Sequence, residues 1–371
     1  MYFAKNFVTM RECGETAAIS VSFTAGVAAG AAAGLEGAPA AAAAAGALAA
    51  SAGLLACLAC RRHSPALHAL AFFCLGLFCF LSHDLSSGVS AGGAGPAGRL
   101  AGRAVTALRR RIESIPFAHD STSPLLLALM TGERSGLSAA QTAAFRNSGA
   151  SHILALSGLH LGIIYLMISK ILSIIGNSQP ARKVRCATII AVSGFYTLMT
   201  GAGPSLVRAF LFIVLNEIRR LSPEREHSPL RILLVALIIQ LAFNPDVITS
   251  LGFQLSYLAM TGIFLIYPPL SGWFPADGRR FNPVRKLWDS TALTISCQIL
   301  TAPLVWVRFH TFPRYFIITN LFALPLTTGI MTVSVVTVTL SALGKLPTVL
   351  VSLTDSLVQA LLHILSVISA L

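Results

Sequence analysis

The sequence is short of charge. Asp, Glu, Lys and Arg make up 11% of its 371 residues while hydrophobic residues make up 55%, and an average soluble protein carries roughly 25% charged residues. So few charges cannot coat a folded chain of this length with water-compatible surface, which excludes a set of soluble domains. Acidic groups are the scarcer sign, 14 against 27 basic ones, for a formal net charge of +13. Cysteines number seven, but Cys57, Cys60, Cys74, Cys79, Cys186 and Cys297 lie in apolar stretches and Cys13 in the tail, so no disulfide framework is readable. Cys57 and Cys60 form a CxxC without a second pair, which favours buried packing over zinc. Nothing in the sequence can couple nucleotide hydrolysis to work, since no GxxxxGK[ST] is present and Gly344-Lys345-Leu346 lacks the rest of a phosphate loop. No metal, cofactor or catalytic constellation is expected.

What is present is a succession of apolar runs near the ~20 residues that a spanning helix needs. Three lie early, at 16–35, at 39–60 ended by Arg61 and Arg62, and at 66–81. A signal peptide is disfavoured for the first, because Glu12 and Glu15 precede it and further runs follow directly; an uncleaved span is expected. Eight more fall at 152–175, 186–200, 204–218, 230–243, 247–266, 287–307, 315–343 and 346–370. The seventh of these is too long for one untilted helix, and Pro325 inside it predicts a re-entrant piece plus a span. The fold class is therefore all-α, a polytopic transmembrane bundle of about ten or eleven spans with some broken or re-entrant helices. Three regions are expected: N-terminal transmembrane helices over 1–82, an extracytoplasmic linker over 83–123, and a transmembrane core over 124–371.

Basic loops containing Arg182, Lys183 and Arg185, then Arg219, Arg220, Arg225 and Arg231, then Arg279, Arg280, Arg285 and Lys286, follow every second span. The positive-inside rule puts them in the cytoplasm, 82–151 outside, and the N-terminus inside. The same basic excess suits a polyanionic cargo. Residues 99–117 read as an amphipathic helix. Leu100, Val105, Leu108, Ile112 and Ile115 recur near helical spacing, and Arg99, Arg103, Arg109, Arg110 and Arg111 crowd the other positions. Such a helix belongs in the headgroup layer or against a passing polyanion.

Polar groups inside apolar helices are costly and so mark function. Four segments carry them. In SGASHILALSGLHLG, residues 148–162, the small residues Ser151, Ala155, Gly158 and Gly162 share one face, and Ser157 and His160 share another. This is either a packing helix or one loosened at Ser157-Gly158 to expose polar backbone to an aqueous path. In GAGPSLVRAF, residues 201–210, Pro204 suits a first helical position and brings Ser205 and Arg208 to one face beside free N–H groups. That arrangement suits a phosphate, or an arginine that snorkels to the interface. Residues 244–262 place Gln254 and Tyr257 one turn apart. Residues 298–326 hold Gln298, Pro303, Arg308, His310, Pro313, Asn320 and Pro325, and so many prolines predict discontinuous helices around a cavity.

At these four segments the sequence resembles the ComEC family of bacterial competence proteins. The matching stretches are HILALSGLHLGI, GAGPSLVRAFLF, LGFQLSYLAMTGI, and QILTAPL followed by FHTFPRYFIITNLFALPL, in the family's order; MTGERSGLSAAQTAAFRNSGASH also looks like the family's approach to its first core helix. The resemblance covers roughly residues 97–345. It implies an inner-membrane channel for uptake of single-stranded DNA during natural transformation. His152, Ser157, Gly158, His160, Ser205, Arg208, Gln254, Tyr257, Gln298, His310 and Asn320 would be candidates for the DNA path, and Arg99, Arg103, Arg109, Arg110 and Arg111 would meet phosphates at the surface. It also implies a cytosolic DNA motor, an outer DNA receptor and a separate nuclease as partners, in addition to the lipid bilayer; whether the chain pairs as a homodimer is left open by the sequence. Family members commonly carry an OB-like domain and a metallo-β-lactamase-like domain; about 40 residues between 81 and the core approach are too few for the first, and no HxHxDH cluster marks the second. Two rivals remain: a transporter of a smaller solute, and an intramembrane hydrolase with Ser157 as nucleophile and His160 as base, for which no orienting acid is evident.

Overall fold

The computed structural model describes residues 2–34, 37–59, 65–87, 95–176, 178–221, 228–274, 282–310 and 314–370. Arg61, Arg62, Arg225, Arg279, Arg280 and Pro313 lie outside the described residues, as do the side chains of Glu12, Cys13, Cys57 and Cys60. Sixteen α-helices form, with no strand among the described residues. In chain order they are α1 (Tyr2–Ala33), α2 (Gly37–Ala59), α3 (Pro65–Ser87), α4 (Pro96–Glu113), α5 (Thr122–Thr131), α6 (Ala139–Asn147), α7 (Ser151–Leu154) and α8 (Gly158–Leu172). There follow α9 (Gln179–Met199), α10 (Pro204–Leu221), α11 (Pro229–Phe243), α12 (Leu251–Leu265), α13 (Tyr267–Ser271), α14 (Pro283–Phe309), α15 (Phe316–Ala342) and α16 (Thr348–Ser369). Six segments are long and apolar enough to cross a membrane: Gly14–Ala33, Pro65–Asp84, Gly158–Ile175, Pro283–Phe309, Phe316–Ala342 and Thr348–Ser369. Shorter apolar helices are Pro39–Leu55, Thr122–Thr131, Pro229–Phe243 and Leu251–Leu265. The protein is an all-α, multi-pass membrane protein.

Prolines start many of these helices, at or next to the first position of α4, α9, α11 and α14, where a missing N–H costs nothing. Inside helices they behave differently from the sequence expectation. Pro303 and Pro325 lie within continuous α14 and α15, so 315–343 is one helix and not a re-entrant piece plus a span. Membrane helices tolerate proline where hydroxyls and neighbouring helices satisfy the freed backbone.

The chain divides into two compact units, Met1–Gly93 with Leu211–Tyr257, and Ala94–Phe210 with Leu258–Leu371. In the first, α1 and α3 cross so closely that a Cβ on Gly26 would lie 2.0 Å from the Phe73 carbonyl oxygen, and one on Gly76 2.1 Å from that of Phe23. Lipid tails are as apolar as leucine, so burial alone does not hold such helices together, and close backbone approach does.

The second unit is centred on α5, whose Leu125, Leu126, Leu129 and Met130 are buried on all sides against Phe145 of α6, Ile330 and Met331 of α15, and Val358, Leu361 and Leu365 of α16. The amphipathic α4 docks here too. Ala101, Ile112 and the following Ile115 are buried, Leu108 packs on the same core, and only Leu100 among its large apolar side chains is exposed. Its apolar face is committed to protein, which corrects the headgroup-layer reading.

The placement of 82–151 wholly on one side of the membrane also needs correction. The Thr122 hydroxyl donates to Asp355 in α16 at 2.5 Å and Arg111 to the Ser341 carbonyl at 3.4 Å, but Thr319, at the other end of α15, donates to the Ser148 carbonyl at 2.8 Å. Thr319 and Ser341 are about 33 Å apart along a helix. Residues 111–148 therefore run the length of the α15–α16 pair, alongside it.

Candidate functional site

Within the apolar run at 152–175 the chain leaves helical form. Helix α7 ends at Leu154, Ala155 is extended, and Ser157 is extended as the N-cap of α8. This break separates Ser151 and Ala155 from Gly158 and Gly162, so the four do not form one small-residue stripe, and a Cβ on Gly162 would meet nothing within 4 Å. Both ends of the break are held by side chains. Arg134 donates from Nε to the Leu154 carbonyl at 3.1 Å, covering the α7 C-terminus. The Ser157 Oγ accepts from the Leu159 N–H at 3.2 Å, and the Ser157 N–H donates to His160 Nδ1 at 3.2 Å, a capping box with histidine in the reciprocal place. Since Nδ1 accepts, the proton of the neutral ring sits on Nε2, which is buried without a hydrogen-bond partner.

Helix α10 lies against this break. A Cβ on Gly158 would come within 3.0 Å of Arg208 Nη2 and 3.2 Å of Ala209 Cβ, so the glycine is what admits α10. Arg208 is 7% exposed. The α14 helix receives α12, where a Cβ on Gly262 would meet the Ser296 carbonyl oxygen at 2.2 Å. Segments 148–162 and 201–210 are thus joined directly, and the last glycine of 244–262 packs on α14 just ahead of 298–326. A buried guanidinium is a group that binds an anion strongly when one reaches it, and the neighbouring helix-start N–H groups of Leu206, Val207 and Leu159 are already held by Gly203 and Ser157.

Ser205 is half-buried one turn before Arg208 on α10, and Gln298 is half-buried on α14. His152 is exposed, its Nδ1 3.2 Å from the Gly149 carbonyl oxygen. Gln254 and Tyr257 have structural partners in the first unit. Gln254 donates to the Ile248 carbonyl at 2.8 Å, and the Tyr257 hydroxyl donates to Gln240 Oε1 at 3.0 Å. His310 is an exposed C-cap of α14 with φ 51°. The Oδ1 of Asn320 is buried on α15 without a hydrogen bond. Of the surface arginines, Arg99, Arg103 and Arg110 are exposed, whereas Arg109 contacts Glu113 at 2.9 Å and Glu133 at 2.7 Å. The hydrogen bond from Glu113 and the charges of Glu133 and Glu113 push the Arg109 guanidinium above its ordinary value.

Sequence reasoning missed a polar cluster on α16. Asp355, almost fully buried in a candidate span, meets His119 Nδ1 at 2.6 Å and the Thr122 hydroxyl at 2.5 Å. One turn on, Gln359 donates to Ser121 Oγ at 2.9 Å. An acid inside the apolar run VSLTDSLVQALL was the available signal.

Residues 129–371 match the model of a family described as Competence protein. The chain is 27% identical over 225 residues to ComE operon protein 3 of Bacillus subtilis (strain 168), covering 60% of this chain and 27% of that protein. It is 26% identical over 211 residues to the uncharacterized protein YcaI of Escherichia coli (strain K12), covering 56% of this chain and 27% of YcaI. A protein of Aquifex aeolicus (strain VF5) is 27% identical over 147 residues, 39% of this chain and 34% of that one. The matched regions thus span between about a quarter and a third of these relatives. No solved structure matches the chain. Because the family match takes in well over half of the sequence and contains the broken segment, Arg208 and the α14–α16 helices, the chain belongs to the Competence protein family.

Proposed function

We propose that this chain forms the inner-membrane passage through which single-stranded DNA enters the cell during natural transformation, with its N-terminus and the basic loops after every second span on the cytoplasmic side. A DNA strand carries a charge at every nucleotide, and such charges cannot cross hydrocarbon without a hydrated, electropositive path. The observation that carries the reading is Arg208, a nearly buried cation seated on Gly158 where an apolar segment breaks. A phosphate there would meet a guanidinium little screened by solvent. Ser205 lies one turn before Arg208 on α10, and His160 lies on the first turn of the helix that the break begins. The family and ComE operon protein 3 support the competence role. A cytosolic motor, an outer DNA receptor and a separate nuclease would be its partners.

The test is replacement of the gene in a competent host. Transformation with genomic DNA is expected to fall to background, with labelled DNA held outside the inner membrane, and to return on complementation. Normal transformability would remove this reading and favour transport of a smaller solute.

A hydrolase reading draws on the 3.2 Å separation of Ser157 Oγ and His160 Nδ1. Both atoms already serve as helix caps, and the Nε2 that an orienting acid would hold has no partner among the described residues. Labelling of Ser157 by a fluorophosphonate would revive it.

A further inference from the structure

Helix α16 has three faces. One packs into the core through Val358, Leu361 and Leu365, and another exposes Val349, Leu353 and Val367, as a lipid-facing surface does. Between them, every α16 residue within about 40° of Ser352 is polar: Thr348, Ser356, Gln359, His363 and Ser366. The apolar exposed face begins with Val349 and Val367, about 60° to one side, and Asp355 lies as far to the other. All of the stripe is exposed except Gln359, which is half-buried. From Thr348 to Ser366 it runs about 27 Å along the helix, close to the ~30 Å of bilayer hydrocarbon. Yet α16 is one of the segments long and apolar enough to span. A hydroxyl can satisfy itself on its own helix, as Ser366 does on the His363 carbonyl at 2.7 Å. The amide of Gln359 and the imidazole of His363 carry more donors and acceptors than a helix backbone meets, and lipid meets none.

A second feature lies at the same depth. Gln359, midway along α16, donates to Ser121 Oγ at 2.9 Å, and Asp355 meets His119 at 2.6 Å. These contacts fasten the end of 114–121, a stretch without helix, to the middle of a span. Ala118, His119 and Asp120 are exposed there. Irregular backbone survives at membrane depth only inside protein or against water, and exposed side chains, two of them ionisable, are not inside protein.

We infer that the Thr348–Ser366 face of α16 is a water-lined wall of the passage, with residues 118–120 beside it. The inference rests on the passage reading for what moves along the wall, and deepens it by naming a surface unlike Arg208. A path must bind a charged chain well enough to admit it and weakly enough to release it. A file of hydroxyls, an amide and an imidazole holds water by hydrogen bonds, and α16 carries no arginine or lysine to pin a phosphate.

The experiment uses the full chain in phosphatidylcholine proteoliposomes, with single cysteines placed on α16 and a membrane-impermeant methanethiosulfonate added on both sides. Helix α16 has no cysteine of its own, so modification is read on its peptide by mass spectrometry. The thiolate is the reactive form, and water supports that charge where hydrocarbon does not. Ser356→Cys is expected to react at least about tenfold faster than Leu353→Cys, and Ser366→Cys than Val367→Cys. The members of each pair are both exposed and lie within one turn, so depth does not separate them. Unchanged helical circular dichroism checks that each variant folds. Equal rates within both pairs, fast or slow, overturn the wall and leave the passage reading standing. Slow modification of Ser356→Cys, together with its oxidation to a disulfide-linked pair of chains, would seat a second copy on the stripe and likewise overturn the inference. No DNA enters the measurement, so its failure is separable from that of the passage reading, which replacement of the gene decides.

Discussion

The α1–α3 pair and the second compact unit meet the same difficulty, holding helices together in a medium that gives no reward for burying leucine, with a different balance of means. The α1–α3 crossing does it by removing side chains. Reciprocal glycines bring each backbone onto the other's carbonyl, at distances no Cβ allows. The second unit has one such contact, Gly262 against the Ser296 carbonyl, and adds buried polar groups, several of them matched. Asp355 is met by His119 and Thr122, Thr319 by Ser148, Thr337 by Thr354, and Tyr196 by the Met130 carbonyl. Glycine contacts fix geometry and do nothing else. Buried polar groups cost free energy to insert, so their concentration in the second unit, with Arg208 and His160 among them, marks where chemistry with a polar cargo is to be sought.

The sharpest way to break the comparison is at the glycines. Gly76→Leu drives a side chain into the Phe23 carbonyl and must separate α1 from α3. We expect a loss of about 3 kcal/mol, at the upper end for overpacking, read by detergent-titrated unfolding; a variant as stable as the parent would show that the crossing is loose. On the polar side, Asp355→Ala removes the acceptor of two hydrogen bonds, with an expected cost of about 2 kcal/mol and faster amide exchange over residues 114–122, which His119 and Thr122 tie to α16. Unaltered exchange there would mean that the cluster holds nothing. The smallest effect is expected at the break. Ser157→Ala loses one N-cap and about 1 kcal/mol, and protection of the Leu159 amide should fall with it.

Much of the fold was legible because lipid imposes long apolar runs and because proline and basic residues punctuate them. The break at Ser157-Gly158 was legible too, since serine is a good N-cap and glycine there gives α10 room. Pro303 and Pro325 misled because a membrane helix carries a proline where neighbouring helices surround it, and a single segment does not display those neighbours. The docking of α4 was hidden for a related reason: an apolar stripe is the same whether lipid or protein covers it. Asp355 could have been suspected from its place in an apolar run, but its partners lie more than two hundred residues away in sequence, and no local pattern names them. The same holds for Arg109, whose charge looked available until Glu133 was found beside it.

The central claim, that Arg208 meets the phosphates of a passing strand, is tested most directly by uptake of labelled DNA into competent cells carrying Arg208→Ala or Arg208→Lys at matched membrane abundance. We expect the alanine variant to lose at least about tenfold, the scale of one charge-assisted hydrogen bond at about 1.5–3 kcal/mol. The lysine variant, which keeps the charge without the fork, should fall between it and the parent. Parental uptake by Arg208→Ala would contradict the account.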